Sequence, residues 1–145
     1  MKKKQKIEGV NIYLYRKFYS EQDSQKILEN LRDELEWRKV RVKLFGKEYT
    51  SPRLSCWYGT KPYKYSGYTW KERSWTRTLL KIKRDIEKLT LKKFNGVLVN
   101  LYRNGQDSMG WHSDNEKELG DDPIIVSLVL GSSRRFMIRE KKIKK

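Results

Sequence analysis

The sequence predicts an α+β fold in which two helices pack on mainly antiparallel sheets. Two segments place apolar residues at the 3.6-residue period of an amphipathic helix, whereas the last third of the chain alternates in short strand-like segments joined by turns. No internal repeat and no linker divides the 145 residues, a length typical of one domain. We therefore expect a single domain over residues 1–145.

Both helices are predicted from apolar periodicity. The first follows Ser20, whose side chain suits a helix cap, and is expected over residues 21–37. The second is expected over residues 74–89. Its apolar residues form one stripe: Trp75, Leu79, Ile82, Ile86 and Leu89. We interpret this stripe as core packing, and the alternative is a binding surface.

Strands are predicted where side chains alternate or where a short apolar run is bounded by turn residues. These segments are residues 11–16, 40–44, 54–58, 97–102, 124–130 and 135–139. A tight turn at residues 45–47 favours a hairpin after the second of them. Residues 59–70, rich in Tyr and Gly, are expected to form a long loop with a function. The lysine-rich residues 1–6 are expected to fray.

The charge of the chain directs attention to polyanions. Lys and Arg number 34 against 18 Asp and Glu, and the formal net charge is +16. Nucleic acid is therefore the leading partner. A disordered basic tail is the alternative, but five Trp and nine Tyr can supply a core.

The location of the protein is predicted from what the sequence lacks. The longest apolar run, residues 123–130, is too short to cross a membrane, and residues 1–6 lead into no apolar signal core. Cys56 is the only cysteine, so no internal disulfide forms, as suits a reducing compartment. We expect a protein that is not secreted and does not bind membranes, and that is cytoplasmic, or nuclear if eukaryotic.

Four polar residues near the end of the chain suggest metal chemistry. Alternation puts Asn100 and Tyr102 on one face of their strand. After a turn, extended backbone would put His112 and Asp114 on the same side, where they could ligate one ion. An imidazole and a carboxylate suit an Fe(II) facial triad, which needs a third protein ligand. In the alternative interpretation, Asp114 only hydrogen-bonds a loop histidine, Asn100 pins a turn and Tyr102 is half-buried core.

The order of these motifs resembles the AlkB family. The resemblance rests on residues 100–104, Asp107, residues 111–116, residues 123–131, Arg134 and Phe136. Upstream, residues 52–54, 57–59 and 62–67 are similar to the nucleotide-recognition region of that family, particularly of its animal DNA-repair members. The likeness covers roughly residues 40–139. It implies a double-stranded β-helix, or jelly roll, with N-terminal helices packed on it.

The resemblance also implies an activity and two cofactors. AlkB proteins are Fe(II)- and 2-oxoglutarate-dependent dioxygenases that use O2 to dealkylate bases in DNA and RNA. By resemblance, His112 and Asp114 bind the iron, whereas Asn100 and Tyr102 hydrogen-bond 2-oxoglutarate. The implied substrates are bases such as 1-methyladenine and 3-methylcytosine, within a role in DNA repair.

Further residues are implied to contact the substrate. Tyr65 resembles the aromatic residue that stacks on a flipped base, Tyr63 lines the same pocket and Glu116 lies near the base edge. An aromatic floor suits an enzyme that must take a base out of its stack. The alternative for Tyr63 and Tyr65 is a pair of loop aromatics in the core or on the surface.

Three more positions extend the predicted substrate contacts. Phe45 resembles a finger residue that fills the gap left by a flipped base, and the alternative is that it packs onto the core. Arg53 and Arg134 lie where family members contact nucleic acid or the substrate pocket. The alternative for each arginine is a solvated surface position.

The resemblance ends before the chain supplies a full site. Family members continue with strands that carry a second iron-binding histidine and an arginine for 2-oxoglutarate, whereas His112 is the only histidine here. We therefore expect a nucleotide-recognition region at about residues 40–70 and a partial catalytic core at about 95–145 without the last strands of the jelly roll. A truncated product, a split gene or a partial chain would explain this. The alternative functions are an inactive basic nucleic-acid-binding module, or half of a split enzyme completed by a second polypeptide.

Overall fold

The computed structural model describes residues 3–7, 11–44, 47–65, 68–114, 119–120 and 123–139. Contacts divide the chain into two units, one of Met1–Glu29 with Ser127–Lys145 and one of Asn30–Val126. The single domain expected from the sequence stays a prediction, and each unit is described by itself.

The first unit begins with a β-hairpin. Strand β1 (Lys3–Ile7) pairs antiparallel with β2 (Ile12–Arg16), and Gln5 lies opposite Leu14. The expectation that residues 1–6 fray is therefore wrong for residues 3–6. The hydrogen bonds of the ladder satisfy backbone groups that a frayed end would leave to water.

Helix α1 (Glu21–Glu34) begins where the sequence predicts. The Ser20 hydroxyl oxygen accepts the backbone N–H of Asp23 at 3.0 Å and donates to the Asp23 carboxylate at 2.7 Å, which confirms the predicted cap. The helix ends before the predicted residue 37. Its last turn closes with Leu35 N–H on the Leu31 carbonyl, and Arg38 then forms an antiparallel bridge with Ser55.

The second unit contains three antiparallel strand pairs. Strands β3 (Arg41–Leu44) and β4 (Lys47–Thr50) form the hairpin predicted there, and its turn lies outside the described residues. Strand β5 (Leu54–Gly59) pairs with β8 (Gly96–Leu101). Strands β6 (Tyr63–Tyr65) and β7 (Tyr68–Trp70) form a further hairpin.

The β6–β7 hairpin corrects the prediction of an irregular loop over residues 59–70. Tyr63 lies opposite Trp70 in the ladder, and both are buried in one cluster with Val40. Aromatic cross-strand pairs stabilise a short hairpin, although the Tyr and Gly content of the segment resembles that of a loop.

Helix α2 (Arg77–Thr90) begins three residues after the predicted start, because the Thr76 hydroxyl caps it by accepting the Leu79 N–H at 3.2 Å. Leu79 and Ile82 of the predicted apolar stripe are buried, which confirms the interpretation of the stripe as core. Among the described residues, neither helix is long and apolar enough to span a membrane.

The two strands predicted over residues 124–130 and 135–139 are wrong. Residues 123–139 are irregular, because no strand of the described chain pairs with them. Several of their apolar side chains are exposed: Ile124, Ile125, Val126, Val129, Phe136, Met137 and Ile138. The described residues thus form an α+β structure of two-stranded antiparallel sheets, and no jelly-roll barrel closes within them.

Candidate functional site

The register of the β5–β8 ladder creates one polar row. Ser55 lies opposite Asn100, and Arg53 and Tyr102 follow two positions further along the same face. We call these four residues the polar row. Cys56 is on the other face of β5, where burial raises the pKa of its thiol to about 12.

Two hydrogen bonds cross between the strands within the polar row. Ser55 Oγ donates to Asn100 Oδ1 at 2.8 Å, and Arg53 Nη1 donates to the Tyr102 hydroxyl at 2.5 Å. Because Asn100 Oδ1 and the Tyr102 oxygen act as acceptors here, the amide NH2 and the phenol O–H are donors toward a second partner. Two such donors suit an anionic ligand.

Arg53 is buried, unlike an arginine at a solvated surface position. Its side chain is 7% exposed, and its guanidinium carbon lies 5.5 Å from the centre of the Tyr102 ring. The solvated alternative for Arg53 therefore does not hold. Ser55 was missed in the sequence, although the alternation of residues 54–58 already placed it on the same face as Arg53.

A hydrogen-bonded loop leads from the polar row to the predicted iron ligands. The Asp107 carboxylate accepts Arg103 backbone N–H, Nε and Nη2 at 2.8, 2.9 and 2.8 Å. Asn104 Oδ1 also accepts the Gln106 and Asp107 backbone N–H groups. The hydrogen bond with Asp107 raises the pKa of Arg103. Asn104 and Asp107 are common turn residues, which was the available signal for this loop.

His112 and Asp114 lie together, as the sequence predicts. His112 Nδ1 lies 2.8 Å from the Gly110 carbonyl oxygen, which only accepts, so Nδ1 is the donor of this hydrogen bond. Nε2 lies 3.6 Å from Asp114 Oδ1. The two side chains are 40% and 42% exposed, so both donor atoms are accessible. An imidazole nitrogen and a carboxylate oxygen are ligands that fit a divalent iron ion.

The described residues supply only two of the three expected protein ligands. No group of three His, Cys, Asp or Glu side chains able to hold a metal ion occurs among them. The sequence contains a single histidine, so its 145 residues do not supply the second histidine of a two-histidine triad.

An aromatic cluster lies on the same face of β5 as the polar row. Trp57 stacks on Tyr63 with ring centres 4.5 Å apart, and Tyr68 meets Trp70 edge to face at 4.9 Å. Tyr63 is buried in this cluster. Tyr65 shares β6 with Tyr63, but its side chain lies outside the described residues.

The remaining residues predicted to contact the substrate are Phe45, Glu116 and Arg134. Phe45 and Glu116 lie outside the described residues. Arg134 is exposed and belongs to the first unit, whereas Arg53 belongs to the second. Their roles stay predictions.

Comparison with known proteins identifies the family. The model of the 2OG-Fe(II) oxygenase superfamily matches residues 11–145. The chain belongs to the 2OG-Fe(II) oxygenase superfamily. The predicted cofactors, Fe(II) and 2-oxoglutarate with O2, agree with this membership.

The chain is similar to AlkB homologues, which confirms the resemblance found in the sequence. It is 40% identical over 131 residues to the human "Alpha-ketoglutarate-dependent dioxygenase alkB homolog 3", an alignment that covers 90% of this chain and 46% of that protein. It is 33% identical over 139 residues to "DNA oxidative demethylase ALKBH2" of Bos taurus, with coverages of 92% and 50%. This 2OG-Fe(II) oxygenase chain thus spans about half the length of the curated relatives it matches.

Proposed function

We propose that this chain carries the iron- and 2-oxoglutarate-binding part of a dioxygenase that demethylates bases in nucleic acid. The observation that carries the proposal is the His112–Asp114 pair, in which the Gly110 carbonyl holds Nδ1 and leaves Nε2 facing the carboxylate. The activities in the names of the two relatives support the reaction class. The net charge of +16 supports a polyanionic substrate.

The polar row would bind 2-oxoglutarate. Asn100 and Tyr102 would donate to its oxygens, while Ser55 and Arg53 hold these two donors in place from the neighbouring strand. Locking donors by hydrogen bonds before the ligand arrives lowers the ordering cost of binding. The short Arg103–Asp107 contact would set the direction in which the chain leaves Tyr102 for His112.

When bound, Fe(II) and 2-oxoglutarate allow O2 to oxidise an N-methyl group, with one oxygen atom going to the methyl carbon and the other to succinate. The hydroxymethyl group then leaves as formaldehyde, the base regains its N–H or lone pair, and carbon dioxide is the remaining product. The substrates we propose are 1-methyladenine and 3-methylcytosine. Both have the methyl on the base-pairing edge, so the base must be unpaired before it reacts.

Substrate contacts are proposed for the aromatic cluster and its surroundings. Tyr63 and Trp57 form a rigid stacked pair, and Tyr65 follows on the same strand to receive the unpaired base. Stacking on an aromatic ring accepts any base and leaves the choice of lesion to polar groups such as Glu116. Phe45, Arg53 and Arg134 keep the substrate contacts proposed from the sequence.

Mass spectrometry of a methylated oligonucleotide tests the proposal. The chain is incubated with Fe(II), 2-oxoglutarate, ascorbate and a 1-methyladenine oligonucleotide, and the expected result is loss of one methylene mass that requires 2-oxoglutarate. His112→Ala and Asp114→Ala should abolish the loss, whereas Asp33→Ala, at an exposed position of α1, should not. Demethylation that continues in both site variants would refute the proposal.

A second candidate is a nucleic-acid-binding module without turnover of its own, or half of a split enzyme. It is favoured by the absence of a third ligand among the described residues and by the apolar side chains exposed between residues 124 and 138. A module would bind an oligonucleotide with an affinity that ignores iron and 2-oxoglutarate. A split enzyme would gain turnover when mixed with a polypeptide that supplies the missing histidine and covers these side chains.

A further inference from the structure

Helix α2 carries a row of cations on the side opposite its buried stripe. Arg77, Lys81, Arg84 and Lys88 follow one another at intervals of four, three and four residues, so they lie on one side of the helix. All four are exposed, while Leu79 and Ile82 of the other side are buried. We call these four residues the basic stripe.

Little negative charge faces the basic stripe in the described part of the chain. Lys81 Nζ pairs with Asp85 at 2.8 Å, and Arg84 Nε donates to the Leu80 carbonyl. Arg77 and Lys88 form no ion pair with a described residue. By contrast, Lys83 lies outside the stripe and is paired with Glu87 at 2.7 Å. Within the described chain, Lys81 is thus the one member of the stripe that forms an ion pair four residues along the helix, and the other three cations are not neutralised in this way.

We propose that the basic stripe binds the phosphate backbone of a nucleic-acid strand without reading its sequence. Arg77 and Lys88 are 11 residues apart on α2, so at 1.5 Å per residue the stripe extends about 16 Å. That length spans about five nucleotides at 3.4 Å per nucleotide. The inference deepens the proposed function, because it assumes a nucleic-acid substrate.

Burial of the apolar side of α2 favours nucleic acid over an anionic membrane as the partner of the basic stripe. A helix that lies on a lipid surface inserts an apolar face between headgroups, but Leu79 and Ile82 are already used in the core. The exposed residues of α2 are the four cations and Leu80, so the surface open to a partner is mainly charged and has no continuous apolar face. Phosphates held on a flexible strand fit such a surface without needing an apolar contact.

The basic stripe is separate from the polar row. The segment before α2 contacts the other face of the β5–β8 ladder, where the Arg73 guanidinium carbon lies 6.0 Å from the centre of the Tyr58 ring. Tyr58 points away from the face of β5 that carries Ser55 and Arg53. The aromatic cluster proposed to receive the base shares the polar row's face of β5. A strand bound both there and at the stripe therefore extends beyond that base, and the stripe adds affinity for long strands only.

Binding of an unmethylated, labelled single strand tests the inference without iron or 2-oxoglutarate. The four substitutions Arg77→Gln, Lys81→Gln, Arg84→Gln and Lys88→Gln keep helix propensity, because Gln ranks with Lys and Arg. The matched control removes the same two Arg and two Lys charges from other exposed positions: Arg16→Gln, Lys26→Gln, Arg32→Gln and Lys39→Gln. Fluorescence anisotropy over a salt series gives the affinity and its salt slope.

The stripe variant should bind the long strand about tenfold more weakly than the control variant. Its log–log salt slope should be shallower by about 0.7 for each phosphate that the helix no longer neutralises. Equal decreases in affinity for the two variants would mean that only net charge matters and would overturn the inference. Weaker binding to anionic vesicles with unchanged binding to the oligonucleotide would overturn it as well.

Two controls separate the effect on binding from effects on folding and on demethylation. If circular dichroism shows that the fourfold variant loses helix, the pair Arg77→Gln and Lys88→Gln replaces it, since neither side chain makes a hydrogen bond in the described chain. Because the strand is unmethylated and no cofactor is present, failure of demethylation does not affect the measurement. Conversely, a stripe variant with normal demethylation and unaltered binding would refute phosphate binding by the stripe and leave the proposed function standing.

Discussion

The carboxylate of Asp107 accepts three hydrogen bonds from one residue, Arg103. Two come from the guanidinium, at Nε and Nη2, and the third comes from the Arg103 backbone N–H. Asp107 is 5% exposed, so water cannot replace these bonds. The pair closes a short loop between Tyr102 and His112, which are predicted to bind different ligands of one site.

Asp107→Asn should weaken this loop. The guanidinium donates to both carboxylate oxygens, and an amide replaces one of these oxygens by an NH2 group that cannot accept, so one bond and the charge-assisted part of the interaction are lost. We expect the midpoint of thermal unfolding to fall by roughly 5 °C. Differential scanning fluorimetry provides the measurement, with Asp33→Asn on the exposed side of α1 as the control. Equal midpoints for the two variants would contradict the structural role of Asp107.

Tyr102→Phe should destabilise the protein through Arg53. The substitution removes the hydroxyl that accepts Arg53 Nη1 and leaves a buried guanidinium N–H without that acceptor. The expected loss in the free energy of unfolding is about 2 kcal/mol, the usual penalty for an unsatisfied buried donor. Urea unfolding measures it, and Tyr49→Phe, on an exposed side chain of β4, controls for loss of a phenol. A similar small effect of both changes would show that Arg53 does not depend on Tyr102.

Gly96→Ala should be costly because the Trp57 ring occupies the space of the added methyl group. The ring cannot move easily, since it stacks on Tyr63 and its Nε1 donates to the Lys61 carbonyl at 2.9 Å. Overpacking of this kind costs about 2 kcal/mol. Gly105→Ala is the matched control, because nothing lies within 4 Å of its added methyl. Chemical denaturation should show a lower free energy of unfolding for Gly96→Ala than for Gly105→Ala. Equal values would mean that the aromatic cluster is loosely packed.

Leu91→Gly should stabilise the end of α2. Leu91 has a φ of 56°, which is the left-handed region that favours glycine, and its N–H bonds the Glu87 carbonyl. The side chain is 88% exposed, so its removal loses little buried surface. The expected gain is about 1 kcal/mol, the cost of that conformation for a residue with a Cβ. Lys92→Gly should give no such gain in thermal or urea unfolding, and a loss in Leu91→Gly would contradict the prediction.

Glu87→Gln should change the dependence of stability on pH. The hydrogen bond from Lys83, with help from the Phe94 N–H, lowers the pKa of Glu87 from 4.5 to about 2. A lowered carboxyl pKa contributes stability that is fully present above pH 4.5 and disappears as the pH falls toward 2. The variant should therefore melt lower than the parent at pH 7, and the difference should narrow below pH 4.5. Thermal melts across this range check it, and a constant difference would show that the charge of Glu87 is not involved.

Local patterns explain why the two helices and the proximity of His112 to Asp114 could be predicted from the sequence. The cap at Ser20 and the stripe of Leu79 and Ile82 depend on spacing along one helix, which is visible in the sequence. The pairing of His112 with Asp114 likewise depends on residues two positions apart. The alternation that links Asn100 with Tyr102 belongs to the same class of signal.

Pairing and burial depended on residues far away in the chain. Residues 3–7 form a strand because they pair with β2. Residues 124–130 do not form one, because no described strand pairs with them. The same physics applies to side chains, since the partner of Arg53 lies 49 positions away at Tyr102. The sequence by itself determined which segments are amphipathic helices, where α1 is capped, and that His112 and Asp114 lie together. Only the tertiary structure decided which backbone groups and buried charges find partners, because a hydrogen bond between distant residues leaves no local pattern.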